Sequence, residues 1–192
     1  MQRVSAERGQ LRLRDFGQPI LQLRAAACVV HADDADLQRA VAGTQGAFGV
    51  GGGIGTYWGG VRSIGEKVKG AGQTSGIIPF IRVMDSLTLA ISQGSLRRGS
   101  AAVYLDIHHP EIEEFLEIRK PSGDFNRKSL NLHHGINITD EFMEAVRDGQ
   151  MFGLRSPKNN EVIREVDARS LWQKILEIRL QTGEPYLIFS DT

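Results

Sequence analysis

A glycine-dense stretch that ends on an arginine is the part of the sequence best suited to hold a ligand. It spans residues 49–62 and ends at Arg62. Glycines let backbone N–H groups approach a ligand closely, which is how many chains hold phosphate groups. A glycine loop packed beneath a sheet would have the same composition, so the stretch alone does not decide between binding and structure.

A second glycine-flanked loop, residues 93–100, carries Arg97 and Arg98. Together with Arg62, Lys67 and Lys69, these side chains place positive charge beside exposed backbone amides, which suits a nucleotide phosphate. The sequence contains no Gly-x-x-x-x-Gly-Lys-Ser/Thr motif, and the glycine stretch does not fit Gly-x-Gly-x-x-Gly followed by a helix. Any phosphate site is therefore expected to differ from these two common motifs.

The thiol and the histidines are weaker candidates when judged by their neighbours alone. Cys28, the single cysteine, lies in an apolar strand pattern, which favours a buried and inert thiol. The histidine pairs at 108–109 and 133–134 suggest a metal site, but adjacent residues on a strand point to opposite faces. We therefore predict no metal site.

Composition indicates one globular domain of 192 residues. The 23 basic and 23 acidic side chains balance, so net charge favours neither nucleic acid nor an anionic membrane as a partner. No apolar run is long enough to cross a bilayer, and the amino terminus lacks the apolar core of a signal peptide. We expect a cytoplasmic protein.

Hydrophobic periodicity and capping residues predict alternating strands and helices after an irregular lead-in over residues 1–24. The predicted strands are 25–31, 101–107, 132–138, 151–154 and 186–189, and the predicted helices are 33–47, 78–91, one beginning at Pro110, 141–147 capped by Thr139, and one running from a cap at Asp167 to Gly183. Residues 49–72 are expected to be irregular, and the segment around 157–160 is expected to be a polar loop. After Pro110, the acids Glu111, Glu113 and Glu114 suit the start of a helix dipole. The residues expected to face the core are Ile112, Phe115, Leu116 and Ile118 in this helix and its exit, and Leu171, Ile175, Leu176 and Ile178 in the last helix.

This alternation predicts a parallel sheet with crossover helices, either open or closed into a barrel. Ligands in such folds bind beyond the carboxyl ends of the strands. Arg62 and the 93–100 loop are expected to lie at that end.

Four ordered segments together resemble the large chain of ribonucleotide reductase. They are Gly53-Ile54-Gly55 with Val61-Arg62, residues 75–80 (Ser-Gly-Ile-Ile-Pro-Phe), residues 92–99 (Ser-Gln-Gly-Ser-Leu-Arg-Arg-Gly) and residues 105–112 (Leu-Asp-Ile-His-His-Pro-Glu-Ile). The resemblance runs from about Ala26 to the end of the chain. It implies an α/β fold, with residues 25–192 forming the first part of a ten-stranded α/β barrel.

The resemblance also implies roles for individual residues. Cys28 corresponds to one of two cysteines that reduce the ribose 2′ position, and Ala27 stands where the family usually has a serine that binds substrate. Gly53 matches a backbone contact to substrate, and Arg97 is expected to reach toward substrate. The effector nucleoside triphosphate, ATP or a dNTP, is expected at Asp33, Asp34, Asp36, Arg62 and Lys69. The loop that relays effector identity comprises Gln93, Gly94, Ser95, Leu96, Arg98 and Gly99 together with Arg97.

The family also uses a radical cysteine in an Asn-x-Cys-x-Glu motif and a second cysteine that pairs with the one at Cys28, and neither occurs in these 192 residues. We therefore expect this chain to be a piece of a reductase large chain that acts with a complementing fragment. The alternative is a nucleotide-binding or interaction module without catalysis. The resemblance further implies a metal-containing small subunit as radical source (or adenosylcobalamin), no cofactor bound by this chain, and a homodimeric large chain. The last strand, 186–189, is expected to be an unpaired edge.

Overall fold

The computed structural model describes residues 53–68, 72–90, 92–93 and 97–191. In chain order the elements are β1 (Gly53–Tyr57), β2 (Lys67–Val68), β3 (Gly72–Gln73), α1 (Ile78–Ala90), β4 (Ser92–Gln93), β5 (Arg97–Arg98), β6 (Ser100–Asp106), α2 (Ile112–Leu116), a 3-10 turn (Phe125–Arg127), β7 (His133–Ile138), α3 (Asp140–Asp148), β8 (Met151–Arg155), β9 (Val162–Asp167), α4 (Ala168–Thr182) and β10 (Tyr186–Phe189).

Four of these strands form a parallel sheet in the order β1-β6-β7-β10. Gly53 pairs with Ser100, Ala102 with His133, and Gly135 with Tyr186, so the amino ends of all four strands lie along one edge. Three antiparallel pairs, β2-β3, β4-β5 and β8-β9, complete the strand pairing of the described residues. The predicted mixed α/β fold with a parallel sheet is confirmed.

One face of the sheet packs into the hydrophobic core. Along β6, Ala101, Val103 and Leu105 are buried while the intervening residues are half-exposed or exposed, the period-2 alternation of a strand. The residues of α2 and its exit that were expected to face the core do so: Ile112, Phe115, Leu116 and Ile118 are fully buried. This apolar layer covers one face of the sheet and leaves the other face to carry polar side chains.

Capping residues determine where two helices begin and end. The side chain of Thr139 accepts a hydrogen bond from the N–H of Phe142 at the start of α3, and Asp167 accepts one from Ser170 at the start of α4. Gly183 ends α4 with a φ of +78°, a conformation that glycine adopts without a steric penalty. These three assignments agree with the prediction.

Several local expectations are wrong. Gly53–Tyr57 is a strand and not part of an irregular loop, because Ile54 and Thr56 bury one face of it. The glycine-rich segment after Arg62 was expected to be irregular, but it contains the antiparallel pair β2-β3. The helix expected from Pro110 begins at Ile112.

Two further errors concern the carboxyl-terminal part of the chain. The polar loop predicted around 157–160 is confirmed as the turn between β8 and β9, but β9 itself was missed because its side chains are mostly exposed. Leu176 is exposed and does not join the apolar face of α4. The predicted strand at 25–31 and helix at 33–47 lie outside the described residues.

Among the described helices, none has the length and apolar character that crossing a membrane requires.

Candidate functional site

The second face of the sheet, here called the polar face, carries most of the polar and aromatic side chains of the four strands. Strand alternation and register place the following residues on it: Gly53, Gly55 and Tyr57 from β1; Ala102, Tyr104 and Asp106 from β6; His133, Gly135 and Asn137 from β7; Tyr186 and Ile188 from β10. All of them except Gly135 are half-buried or exposed in the described part of the chain. The polar face can therefore present functional groups.

Tyr104 lies across the centre of this face. A Cβ atom added at Gly135 would approach the Tyr104 ring to 2.7 Å, and one added at Gly55 would approach it to 3.5 Å on the other side. Gly135 therefore has to lack a side chain for the ring to lie where it does. The result is a flat aromatic surface between two glycines.

At the carboxyl end of the strands, Asp106 connects three neighbouring strands. Its carboxylate accepts a short hydrogen bond from the Tyr57 hydroxyl and a 2.8 Å hydrogen bond from the Asn137 amide. Burial, followed by the bond to Asp106, raises the pKa of Tyr57 above its ordinary value. Tyr57 therefore remains a phenol, and this end of the face is fixed by polar contacts.

At the amino end, Glu184 is a buried carboxylate shared by two histidines. Its Oε1 lies 2.5 Å from Nδ1 of His133, and its Oε2 lies 2.9 Å from Nδ1 of His134 and 3.6 Å from Nε of Arg119. Burial would raise the pKa of Glu184, but hydrogen bonds from the two histidines and the charge of Arg119 outweigh burial and lower it to about 2. Glu184 is thus ionised at neutral pH.

Arg62 lies beyond the carboxyl end of β1. A second buried carboxylate, that of Glu111, binds the backbone of the segment that follows Arg62. Glu111 accepts hydrogen bonds from the N–H groups of Ile64 and Ile77, the two ends of a segment that contains the β2-β3 pair. Burial raises the pKa of Glu111 to about 7, although these backbone hydrogen bonds lower it. Glu111 therefore links the backbone at Ile64 to the backbone at Ile77.

The comparisons with known proteins decide the family. The family model described as "Ribonucleotide reductase, barrel domain" matches residues 26–192. This chain belongs to the ribonucleotide reductase barrel-domain family. The match agrees with the parallel sheet and with the resemblance that the four sequence segments suggested.

Several relatives are named as reductase large chains. Over 143 residues the chain is 48% identical to the "Putative ribonucleoside-diphosphate reductase large subunit" of Frog virus 3, covering 74% of this chain and 24% of that protein. It is 43% identical to the large subunit of Invertebrate iridescent virus 6, covering 74% of this chain and 15% of that protein. It is 30% identical to subunit alpha of Chlamydia trachomatis, covering 73% and 16%. The chain thus spans less than a third of the length of these reductase relatives.

The predicted site residues that the structure describes lie at two opposite ends of the sheet. Gly53 pairs with Ser100 at the amino end, directly beside Gly99 and the β4-β5 pair that contains Gln93, Arg97 and Arg98. Arg62 lies beyond the carboxyl end of β1. The expectation that the 93–100 loop lies at the carboxyl end is wrong, because this loop leads directly into the first residue of β6.

The remaining predicted site residues lie outside the described residues. They are Ala27, Cys28, Asp33, Asp34, Asp36, Lys69, Gly94, Ser95 and Leu96. For Gln93, Arg97 and Arg98 the structure describes the backbone only. Their predicted roles stay predictions.

Sequence reasoning missed the two buried carboxylates. Glu111 was interpreted as an acid favoured by a helix dipole, and Glu184 was not singled out. A usable signal existed for Glu184, since it lies two residues before the strand that begins at Tyr186, and His133 begins another strand. The starts of parallel strands meet at one edge of a sheet. In the described residues no cluster of three or more His, Cys, Asp or Glu side chains could hold a metal ion.

Proposed function

We propose that this chain is part of a ribonucleoside-diphosphate reductase large chain, and that it reduces ribonucleotides to deoxyribonucleotides by radical chemistry when the remainder of such a chain completes it. The observation that carries the proposal is the pairing of Gly53, the predicted substrate contact, with Ser100. Ser100 directly follows residues 93–99, the loop predicted to relay effector identity. The family match over residues 26–192 supports it. In the proposed fold, residues 25–192 supply the first part of a ten-stranded barrel, preceded by the lead-in at 1–24.

Substrate is proposed to bind at the amino end of the polar face. Among the described residues, a Cβ atom added at Gly53 would meet only the Ser100 carbonyl oxygen, at 3.8 Å, which suits a close approach of substrate to this backbone. Arg97 and Ala27 are proposed to complete this side. Cys28 is proposed to supply one of two thiols that together deliver two electrons and two protons to the ribose, forming a disulfide as the 2′ hydroxyl leaves as water.

The effector nucleoside triphosphate is proposed to bind at the opposite end, against Arg62. The permanent charge of an arginine suits phosphate oxygens, and the hydrogen bonds from Ile64 and Ile77 to Glu111 fix the backbone that follows Arg62. Lys69 is proposed to supply a second basic contact. Asp33, Asp34 and Asp36 are proposed to contribute to the same site. Strand β1 and the residues that follow it up to Arg62 would then join the two sites.

The proposed partners are a complementing large-chain polypeptide, a second large chain in a homodimer, and a radical-generating small subunit that contains a metal. Adenosylcobalamin is the alternative radical source. This chain itself is proposed to bind no resident cofactor, and its proposed location is the cytoplasm.

Complementation tests the proposal directly. The chain is combined with a polypeptide carrying the Asn-x-Cys-x-Glu segment and with a radical source, and the conversion of CDP to dCDP is measured with ATP as effector. We expect turnover that Cys28→Ser abolishes and that Gly53→Val strongly reduces. ATP binding that Arg62→Ala weakens, without any turnover in the complemented mixture, would instead support a nucleotide-binding module without catalysis.

A further inference from the structure

His133 has the geometry of an oriented hydrogen-bonding group on the polar face. It begins β7, and its register with Ala102 places it at the amino end of that face. Its side chain is 44% exposed, whereas Glu184, which holds it, is only 6% exposed. A half-exposed ring held by a buried carboxylate can reach a ligand without losing its orientation.

The contacts of His133 determine which of its nitrogens carries the proton. Glu184 is ionised and can only accept hydrogen bonds, so Nδ1 of His133 has to donate to Oε1. In the neutral ring, Nε2 is then an acceptor. Among the described residues Nε2 of His133 has no hydrogen-bond partner. Tyr186 stacks on the ring with centroids 5.9 Å apart, which fixes the direction in which Nε2 points.

The neighbouring charges are already balanced. Glu184 is paired with Arg119 at 3.6 Å, and burial lowers the pKa of His134 below its ordinary value and keeps that ring neutral. An acceptor nitrogen in this setting repels phosphate oxygens and attracts an O–H or N–H donor. Hydroxyl groups are shared by all ribonucleotides, whereas N–H donors differ from base to base.

From these contacts we infer that His133, oriented by Glu184, accepts a hydrogen bond from a ribose hydroxyl of the nucleotide bound at the amino end of the polar face. Strand spacing places His133 two strands across and two residues along from Gly53, roughly 12 Å away, so one nucleotide can span both positions. The inference rests on the proposed function, since it needs substrate to bind beside Gly53.

Two substitutions of His133 test the contact in the complemented reductase. His133→Phe retains a ring that can stack on Tyr186 but removes both nitrogens, and His133→Gln retains an N–H for Glu184. His108→Phe is the matched control, because His108 is a similarly half-exposed histidine at the carboxyl end of the sheet. Binding of ADP, GDP, CDP and UDP is measured by titration calorimetry, with inorganic pyrophosphate as the ligand that lacks a ribose.

We expect both His133 variants to raise Kd for all four nucleotides by a similar factor of about 3 to 10, the effect of losing one neutral hydrogen bond. Pyrophosphate binding should not change, and His108→Phe should bind all five ligands normally. A loss confined to some bases, or one that also affects pyrophosphate, overturns the ribose assignment. Unchanged nucleotide binding in both variants overturns the contact altogether.

Gly53→Val separates failure of this inference from failure of the proposed function. If Gly53→Val weakens nucleotide binding and the His133 variants do not, only the His133 contact is wrong. If Gly53→Val also has no effect, the proposed substrate site is wrong. Thermal melting of every variant, compared with wild type, ensures that a loss of binding is not a loss of folding.

Discussion

Glu111 and Glu184 are equally buried, at 5% exposure each, yet their pKa values are shifted in opposite directions. Glu184 receives hydrogen bonds from two imidazoles and lies near Arg119, and these favour its charged form. Glu111 receives only backbone N–H groups, which do not outweigh its burial. For these two carboxyl groups, the number and charge of the partners therefore decide whether the cost of burial is overcome.

The two carboxyl groups have opposite effects on stability as pH changes. The lowered pKa of Glu184 gives stability that is present above pH 4.5 and is lost as pH falls toward 2. The raised pKa of Glu111 gives stability that is complete below pH 4.5 and is lost as pH rises through about 7. Of the two carboxyl groups, only Glu111 therefore makes the fold progressively less stable as pH rises from 4.5 to about 7.

Glu111→Gln tests this assignment. A glutamine oxygen in the position of Oε2 can still accept from Ile64 and Ile77, but the side chain no longer titrates. We expect the free energy of unfolding of the variant, relative to wild type, to rise by roughly 3 kcal/mol between pH 4.5 and 8. Urea unfolding at several pH values measures it. A difference that does not vary with pH would show that Glu111 has an ordinary pKa.

At the scale of elements, α4 connects the hydrophobic core to the amino end of the polar face. It packs through Leu171, Ile175 and Ile178 and ends at Gly183, after which Glu184 immediately reaches the histidines of β7. The positive φ of Gly183 lets the chain turn within one residue. The placement of Glu184 therefore depends on where α4 begins and ends.

Asp167→Ala should destabilise α4 at its start. Asp167 accepts a 2.7 Å hydrogen bond from the N–H of Ser170, and removing an N-cap costs about 1 kcal/mol. Urea unfolding should show this loss, while Asp167→Asn, which keeps an acceptor at the same position, should stay within about 0.5 kcal/mol of wild type. An equal loss in both variants would mean that the charge of Asp167, and not its cap geometry, stabilises the helix.

The elements could largely be predicted from the sequence, whereas the contacts of the polar face could not. Apolar spacing and caps such as Thr139 and Asp167 are local signals, and they located the main helices and strands. β9 was missed because its exposed side chains do not produce a strand-like hydrophobic pattern. The fit of Tyr104 against Gly135, and of His133 against Glu184, depends on register between strands that are distant in sequence, which local periodicity does not contain.

At the scale of the whole molecule, the two proposed sites lie at opposite ends of the parallel sheet. Its amino edge brings together Gly53, the β4-β5 pair that directly precedes Ser100, and the Glu184 carboxylate with His133 and His134, and its carboxyl edge leads to Arg62. The core beneath the sheet is continuous from β1 to α4. β1 leads from the proposed substrate contact at Gly53 toward Arg62 and packs on this core, which suits the proposed coupling of an effector to substrate choice.

The sheet is least protected at β10, which lies at its edge among the described strands. Tyr186, Ile188 and Phe189 of this strand are each at least 40% exposed. An exposed apolar edge strand offers its unpaired backbone to another chain. The predicted consequence is that the purified chain associates through β10 unless a partner strand covers it.

Ile188→Lys should weaken this association, because a charged side chain at an edge strand opposes pairing with another strand. Sedimentation velocity over a range of concentrations measures the change, and we expect the variant to form fewer large species than wild type. Leu180→Lys is the matched control. Leu180 is 89% exposed on α4, so its replacement by lysine adds the same charge away from the edge strand. If both lysines reduce association equally, net charge is the cause and the β10 edge is not the contact. If only Ile188→Lys does so, and addition of the complementing polypeptide to wild type has the same effect, β10 is the edge that the partner covers.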